Sequence, residues 1–138
     1  MKKLIIDNAH SEIGFKVKHL MISTVKGNFT TFSGGVEENG DISVSINTNS
    51  INTGSVDRDN HLKSADFFNS EEHATIDFSG NITEDMTTIT GSLTIKGITK
   101  EVTLNTEYNG MGVDPWGNTK HGWEITGTIN RNDFGLTW

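Results

Sequence analysis

The acidic and histidine side chains between residues 57 and 61 are the first place to look for chemistry. Asp57, Asp59 and His61 lie within five residues of each other, and a carboxylate beside an imidazole can act in general acid–base catalysis. Residues one or two apart on a helix do not face each other, however, and no nucleophile is tied to this group. An enzymatic role for Arg58, Asp59 and His61 is therefore kept as an alternative hypothesis, and we expect a protein that is not an enzyme.

Histidine and cysteine usage gives no sign of a metal site. The five histidines form no pair at H-x-H, H-x-x-x-H or H-E-x-x-H spacing. The chain has no cysteine, which excludes disulfides, thiolate nucleophiles and cysteine-ligated metals. Phosphate-binding and dinucleotide-binding glycine motifs are also missing from the sequence. We therefore expect neither a metal ion nor another cofactor.

The two arginines of this acidic chain, Arg58 and Arg131, each lie in a dense polar cluster. A guanidinium group can pair with two carboxylate oxygens at once or grip an anionic headgroup. Two interpretations stay open: the arginines pair with neighbouring aspartates and fasten the ends of the fold, or they bind an anion.

The elements that must position these groups are strands, because apolar residues recur at every second position. Ile13, Phe15 and Val17 show this period, and the pattern continues in later segments. The one stretch without alternation, 55–68, indicates a short helix near 56–66 with Ser55 or Asp57 as its N-cap. The fold class is therefore all-β and antiparallel, closed or nearly closed. The predicted strands span 3–7, 12–19, 25–37, 41–48, 74–83, 87–96, 98–108, 121–131 and 134–138.

Glycines mark both turns and inward strand positions. Asn39-Gly40 and Lys96-Gly97 each separate two alternating runs and predict hairpins. Gly91 and Gly127 share the parity of inward apolar residues. A glycine at such a position either leaves a cavity or permits a close backbone approach, and the sequence does not separate the two.

Composition sets broad limits on partners and location. The chain of 138 residues, with 33% hydrophobic residues, predicts a single domain spanning 1–138. A net charge of −7 argues against nucleic acid or an anionic bilayer surface as the main partner. The apolar stretch after Lys3 is too short for a signal peptide, and no run reaches membrane-spanning length. We expect a cytoplasmic protein without stable membrane insertion.

Long motifs along the chain resemble the YceI-like family. They run in order over nearly the whole sequence, and the central one reads Arg-Asp-Asn-His-Leu-Lys-Ser-Ala-Asp-Phe-Phe. The matching segments are 6–11, 17–29, 58–68, 93–99 and 129–136.

The resemblance implies a lipocalin-like antiparallel β-barrel of about eight strands with one short helix. Its hydrophobic lumen would hold a polyisoprenoid or another long-chain lipid, as a carrier or sequestering protein without chemistry of its own. Family members often form homodimers. Similar proteins continue past Trp138 with at least one more strand, so we expect a barrel that is open along one seam, closed by Met1–Asp7, or completed by a second copy.

Strand parity and the motifs together give candidate ligand contacts. Two alternatives remain beside lipid carriage: an enzyme acting on an isoprenoid lipid, and a solid-core β protein with an interaction role. At the mouth, the candidates for headgroup binding are His10, Arg58, His61 and Arg131. The candidate lumen residues are Ile13, Phe15, Val17, Phe29, Phe78, Leu93, Ile95, Leu104, Trp123, Ile125 and Ile129.

Overall fold

The computed structural model describes residues 4–7, 11–19 and 23–136, which form ten β-strands and one short α-helix. Helix α1 spans Val56–Lys63, and short 3-10 helices span Thr48–Ser50 and Arg131–Phe134. The strands are β1 (Leu4–Ile5), β2 (Ile13–His19), β3 (Ser23–Phe29), β4 (Phe32–Val36), β5 (Asp41–Asn47), β6 (Ile51–Asn52), β7 (Thr75–Ile82), β8 (Thr88–Ile95), β9 (Ile98–Val113) and β10 (Thr119–Thr126).

These strands form two antiparallel sheets. A seven-stranded sheet has the order β1-β4-β5-β7-β8-β9-β10, and a three-stranded sheet has the order β2-β3-β6. The large sheet is strongly curled into a half-barrel, which confirms the predicted all-β antiparallel fold class. Within the ranges that the structure describes, β10 pairs with β9 alone and β2 with β3 alone.

An ion pair connects the two edges of the seven-stranded sheet. Lys120 on β10 donates to the carboxylate of Asp7, two residues beyond β1, over 2.8 Å. The hydrogen bond to Asp7 is the main reason that the pKa of Lys120 lies above its ordinary value. Because β1 and β10 are the two outermost strands of this sheet, the ion pair shows that its curl brings the two edges close together.

The prediction of one strand over 25–37 was wrong. The structure divides the segment at Thr30 and Thr31 into β3, in the small sheet, and β4, in the large one. Phe29 and Phe32 are both buried, although three residues apart they would lie on opposite faces of a continuous strand. The break between them lets both rings enter the interior.

The strand predicted at 121–131 ends earlier, at Thr126. The strand predicted at 134–138 is also wrong over its described part, because residues 131–134 form a 3-10 helix. The Asn130 side chain accepts from the amide of Asn132 at 3.0 Å, and Gly135 ends the helix at a φ of 74°. This local capping turns the chain and buries Phe134, which is 1% exposed.

Helix α1 begins as predicted and ends three residues earlier than position 66. Ser55 is its N-cap, since the Ser55 hydroxyl accepts from the amide of Arg58 at 3.3 Å. An N-cap oxygen satisfies one of the amides that the first turn of a helix leaves unpaired.

Two apolar clusters fill the interior. The first, which we call the lower core, packs between the two sheets and α1. The second, which we call the sheet core, lies along the inner face of the large sheet. Leu93 and Val102 pack against both clusters. The buried residues of the lower core are Phe29, Ile51, Ile76, Ile95, Phe134 and Leu136, and those of the sheet core are Ile42, Phe78 and Ile89.

The inward glycines permit close approach and do not leave cavities. A Cβ on Gly91 would lie 2.9 Å from the ring of Phe78, and Gly91 stands opposite Gly80 on the neighbouring strand. A Cβ on Gly127 would collide with the side chain of Leu104. Neither position is therefore evidence for space in which a ligand could lie.

Candidate functional site: the open apolar face of β9 and β10

The inner face of β9 passes from the core into solvent. Leu104 packs against the sheet core and Thr106 is buried. Further along the strand, Tyr108 is 40% exposed, Met111 72% and Val113 70%. Apolar side chains therefore continue along β9 past its buried part, into a stretch that the other described residues leave exposed to solvent.

A β-bulge keeps these residues on one face. Trp123 pairs with Tyr108, whereas Gly122 pairs with Gly110, so Asn109 is the extra residue. The rings of Tyr108 and Trp123 lie 4.7 Å apart between centroids, and the Tyr108 hydroxyl lies 2.8 Å from His121 Nδ1.

The neighbouring strand widens this surface. Ile125 pairs with Thr106 and is half exposed, Trp123 is half buried, and His121 pairs with Met111. The surface is mostly hydrocarbon and aromatic, with one Tyr–His polar pair, so it can bind an apolar chain. We call it the open face, defined by Tyr108, Met111, Val113, Trp123 and Ile125.

Thr106 places an unused hydroxyl in the middle of this strand. Its Oγ1 is buried and has no hydrogen-bond partner within residues 4–7, 11–19 and 23–136. Burying an unpaired hydroxyl costs free energy because its bonds to water are lost. Thr106 also pairs with Ile125, so this hydroxyl lies beside the open face.

Two of the polar residues predicted for catalysis or headgroup binding, Arg58 and Asp59, hold the start of α1 in place. Arg58 donates from Nε to the Thr53 hydroxyl at 2.9 Å and from Nη2 to the Thr53 carbonyl at 2.8 Å. Asp59 accepts from the amide and the hydroxyl of Thr53 at 2.9 and 2.6 Å. These bonds tie the first turn of α1 to the residue after β6.

His61 has other partners. Its Nε2 lies 3.0 Å from the carboxylate of Asp66, and its ring packs edge-on against Phe67 at 5.1 Å. Asp59 and His61, which the sequence placed in one candidate acid–base group, therefore contact different side chains. Arg131 lies in the last 3-10 helix, and His10 falls outside the described residues.

The predicted lumen residues divide between the core and the surface. Phe29 and Ile95 are buried in the lower core, with Ile13, Phe15 and Leu93 packed against it. Phe78 and Leu104 belong to the sheet core, Trp123 is half buried, and Val17, Ile125 and Ile129 are exposed.

Sequence reasoning missed Tyr108, Met111 and Val113. The predicted strand ends at residue 108, because Asn109-Gly110 and Asp114-Pro115-Trp116-Gly117 indicate a longer loop. Met111 and Val113 are two residues apart, and this period of two indicates that the strand continues past residue 108.

The opposite face of the large sheet carries hydroxyl groups around a depression of about 370 Å³. Its serines alternate along β5 with Ile42, Val44 and Ile46, so they point away from the core. Apolar atoms also contribute to this depression, so it is a mixed surface. Its lining consists of Ser33, Gly34, Ser43, Val44, Ser45, Asp77, Phe78, Ser79, Ser92 and Thr94.

The described ranges contain neither a cluster of metal ligands nor a membrane-spanning helix. No three histidine, aspartate or glutamate side chains within residues 4–7, 11–19 and 23–136 come together as metal ligands would. Over the same ranges, no helix has the length and apolar character needed to span a bilayer.

Known proteins are similar to this chain in sequence and in fold. The chain is 43% identical to a UPF0312 protein of Staphylococcus aureus (strain N315), over 100% of this chain and 84% of the relative. The crystal structure of the Campylobacter jejuni YCEI protein is similar with a TM-score of 0.74 and 36% identity, covering 94% of this chain and 81% of that one. A polyisoprenoid binding domain from Saccharophagus degradans shares the fold at 16% identity and a TM-score of 0.53, covering 76% of this chain and 63% of that chain. The family model described as the YceI-like domain matches residues 4–138, and the chain belongs to the YceI-like family.

Proposed function

We propose that this protein binds a long-chain amphiphilic lipid, a polyisoprenoid or a molecule of similar shape, with the lipid tail lying on the open face. The protein would act as a carrier or sequestering protein. The observation that carries the proposal is the apolar surface that leaves the sheet core at Leu104 and continues in contact with solvent to Val113. Large contiguous apolar patches on a protein surface mark sites that a ligand, a partner or a membrane covers.

The energetics favour a slender hydrocarbon ligand. Each methylene-sized group removed from water contributes about 0.8 kcal/mol, so ten such groups give about 8 kcal/mol before ordering costs. This contribution is non-directional, so the open face would select a ligand by length and girth.

The packed interior limits how deep the ligand reaches. The lower core is filled by its own side chains, including Phe29, Ile95 and Phe134. The tail would therefore lie beyond Leu104, against β9 and β10, and not along the whole length of the barrel. Predicted contacts such as Ile13 and Phe29 would then support the fold below the ligand.

The comparisons support the class of ligand. The name of the Saccharophagus degradans domain describes it as polyisoprenoid binding, and that domain shares this fold. In our chain the open face offers such a molecule aromatic and aliphatic contacts, and the Tyr108–His121 pair offers its headgroup a hydrogen-bonding partner. Headgroup contacts by Arg58, His61 and Arg131, and a homodimer, remain predictions.

Native mass spectrometry of the chain purified without detergent tests the proposal. We expect a co-purifying lipid as added mass on the wild type, and its loss from Ile125→Glu. Because Ile125 is half exposed, the charged variant should still fold, which circular dichroism would check. Val56→Glu is the matched control, since Val56 is an exposed apolar residue on α1. Lipid retained by Ile125→Glu, or absent from the wild type after incubation with polyprenyl lipids, would contradict the proposal.

The enzymatic alternative predicts a different pattern. If His61 acted on the lipid, His61→Ala would abolish conversion of a bound polyprenyl lipid while keeping its affinity. Under the binding proposal, wild type and His61→Ala both return the lipid unchanged, as followed by chromatography of the extracted lipid.

A further inference from the structure

The loop between β9 and β10 presents a large aromatic side chain to solvent. We call residues 109–121 the hairpin tip; it carries Met111, Val113 and Trp116, and Trp116 is 80% exposed. A Cβ built on Gly110, Gly112 or Gly117 would meet no atom of the described residues within 4 Å. These positions of the hairpin tip therefore lie clear of the packed part of the molecule, whereas Lys120, at its base, pairs with Asp7 beside β1.

Hydrogen bonds hold the turn that carries Trp116. The Asp114 carboxylate accepts from the amides of Trp116 and Asn118, each at 2.9 Å, and the Gly117 amide donates to the Asp114 carbonyl at 3.1 Å. Pro115 further restricts the backbone. A turn fixed in this way presents the indole ring with little loss of backbone entropy when a partner binds it.

Charge distinguishes the hairpin tip from the rest of the chain. Residues 109–121 contain one acidic residue, Asp114, and one basic residue, Lys120, so their formal charge is zero with His121 neutral. The whole chain carries −7. Lys120 already pairs with Asp7 and lies 3.9 Å from Asp114, so the hairpin tip offers little positive charge to an anionic partner. The acidic body would repel such a partner, whereas an electrically neutral surface meets the apolar side chains of the tip.

A pair of acidic residues lies just below the hairpin tip. Glu107 and Glu124 stand opposite each other on β9 and β10 and are exposed. Tyr108 and Trp123 are their immediate neighbours along the strands, so the glutamates point to the other side of the hairpin. From Tyr108 to Val113 the strand advances about 17 Å, at about 3.4 Å per residue. This length exceeds the depth to which interfacial elements enter a bilayer, about 5–10 Å.

We propose that the hairpin tip docks on the surface of a neutral, zwitterionic lipid bilayer, with Trp116, Met111 and Val113 entering the interface. Tryptophan favours this region because its ring is apolar and its N–H can still meet water or headgroups. The carboxylates of Glu107 and Glu124 limit the depth of entry. This docking rests on the proposed lipid binding, because it would serve to load or unload the lipid. The open face would run from the bilayer to the sheet core, so a lipid tail could pass along it without crossing water.

Co-sedimentation with phosphatidylcholine vesicles that contain no isoprenoid lipid tests the docking. We expect the full chain to pellet with these vesicles, and Trp116→Ser to weaken partitioning at least about tenfold, since an indole ring buries a large apolar area. Trp116→Phe should restore most of the binding. The matched control is Val56→Ser, which removes a comparably exposed apolar side chain from α1 and should pellet like the wild type.

Each of the following results would overturn the docking. The first is equal pelleting of wild type and Trp116→Ser, and the second is a requirement for anionic phosphatidylglycerol. The third is a wild type that stays in the supernatant but forms dimers that Trp116→Ser dissociates, which would assign the tip to a second copy. A wild type that co-purifies with lipid but does not pellet with vesicles would contradict the docking alone. A chain that carries no lipid but pellets with vesicles, and loses this binding in Trp116→Ser, would contradict only the proposed lipid binding on the open face.

Discussion

Tyr108 and Trp123 stand opposite each other on β9 and β10, with ring centroids 4.7 Å apart and planes inclined at 55°. On one side of this pair Thr106 is buried, and on the other Met111 is mostly exposed. The two rings therefore lie within the open face, at the point where β9 passes from the buried Thr106 to the exposed Met111.

A double-mutant cycle should detect this contact. We expect Tyr108→Ala and Trp123→Ala to show a coupling of about 0.5–1.5 kcal/mol, typical of neighbouring aromatic rings. Urea unfolding of the wild type, both single variants and the double variant measures it. Additive effects would mean that the rings do not contact each other in solution.

Replacing Thr106 by valine should stabilise the lipid-free protein. The change keeps the shape of the side chain and removes a buried hydroxyl that the described residues leave unpaired, a penalty of about 1–3 kcal/mol. Thermal unfolding of delipidated protein checks it, with Thr103→Val as an exposed control on the same strand. A lower melting temperature for Thr106→Val would show that the hydroxyl has a partner.

Phe134→Ala should destabilise the fold strongly. Phe134 is among the most deeply buried side chains described, and removing such a ring costs about 3–5 kcal/mol. Ile129→Ala, at an exposed position nearby in sequence, should cost much less. Urea unfolding compares the two variants, and similar losses would contradict the packing of the last 3-10 helix into the lower core.

Acid should loosen the hairpin tip through Asp114. The hydrogen bond from the Asn118 amide is the main reason that the pKa of Asp114 lies below its ordinary value. Because the folded pKa is the lower one, this contribution is fully present above the unfolded pKa of about 4 and is lost as pH falls through the folded pKa.

Hydrogen exchange measures this effect locally. We expect protection of the Trp116 and Asn118 amides, corrected for intrinsic rates, to persist through the ordinary carboxyl range near about pH 4 and to fall in stronger acid, where the folded carboxylate takes up its proton. In Asp114→Ala the protection should be low at every pH. Wild-type protection at neutral pH that is no higher than in Asp114→Ala would mean that the carboxylate does not hold the turn.

The period of two in the sequence predicted most strands. It failed where a bulge or a break changes which alternate residues face the interior. The runs at 41–48, 74–83 and 87–96 became β5, β7 and β8 within one residue at each end. The bulge at Asn109 and the break between Phe29 and Phe32 were not predicted, because each depends on where the neighbouring strand offers hydrogen bonds. In the sequence, Tyr108 and Met111 have opposite parity, yet the bulge places them on one face.

The contacts around α1 all span few residues, yet the sequence predicts only one of them. Ser55 is predictable as an N-cap because its bond to the Arg58 amide follows a recurring three-residue pattern. The bonds of Arg58 and Asp59 to Thr53 span only five and six residues, but they follow no such pattern, so the sequence predicts headgroup or acid–base roles for these side chains instead.

The sequence by itself determined the period of two, the short helix after Ser55, the absence of cysteine chemistry and the acidic charge. Only the tertiary structure decided which apolar residues are covered. Leu104 and Val113 look alike in the pattern, but the curled sheet packs Leu104 into its core and carries Val113 beyond it. Alternation is a property of the backbone of one strand, whereas burial depends on what other parts of the chain bring to its face.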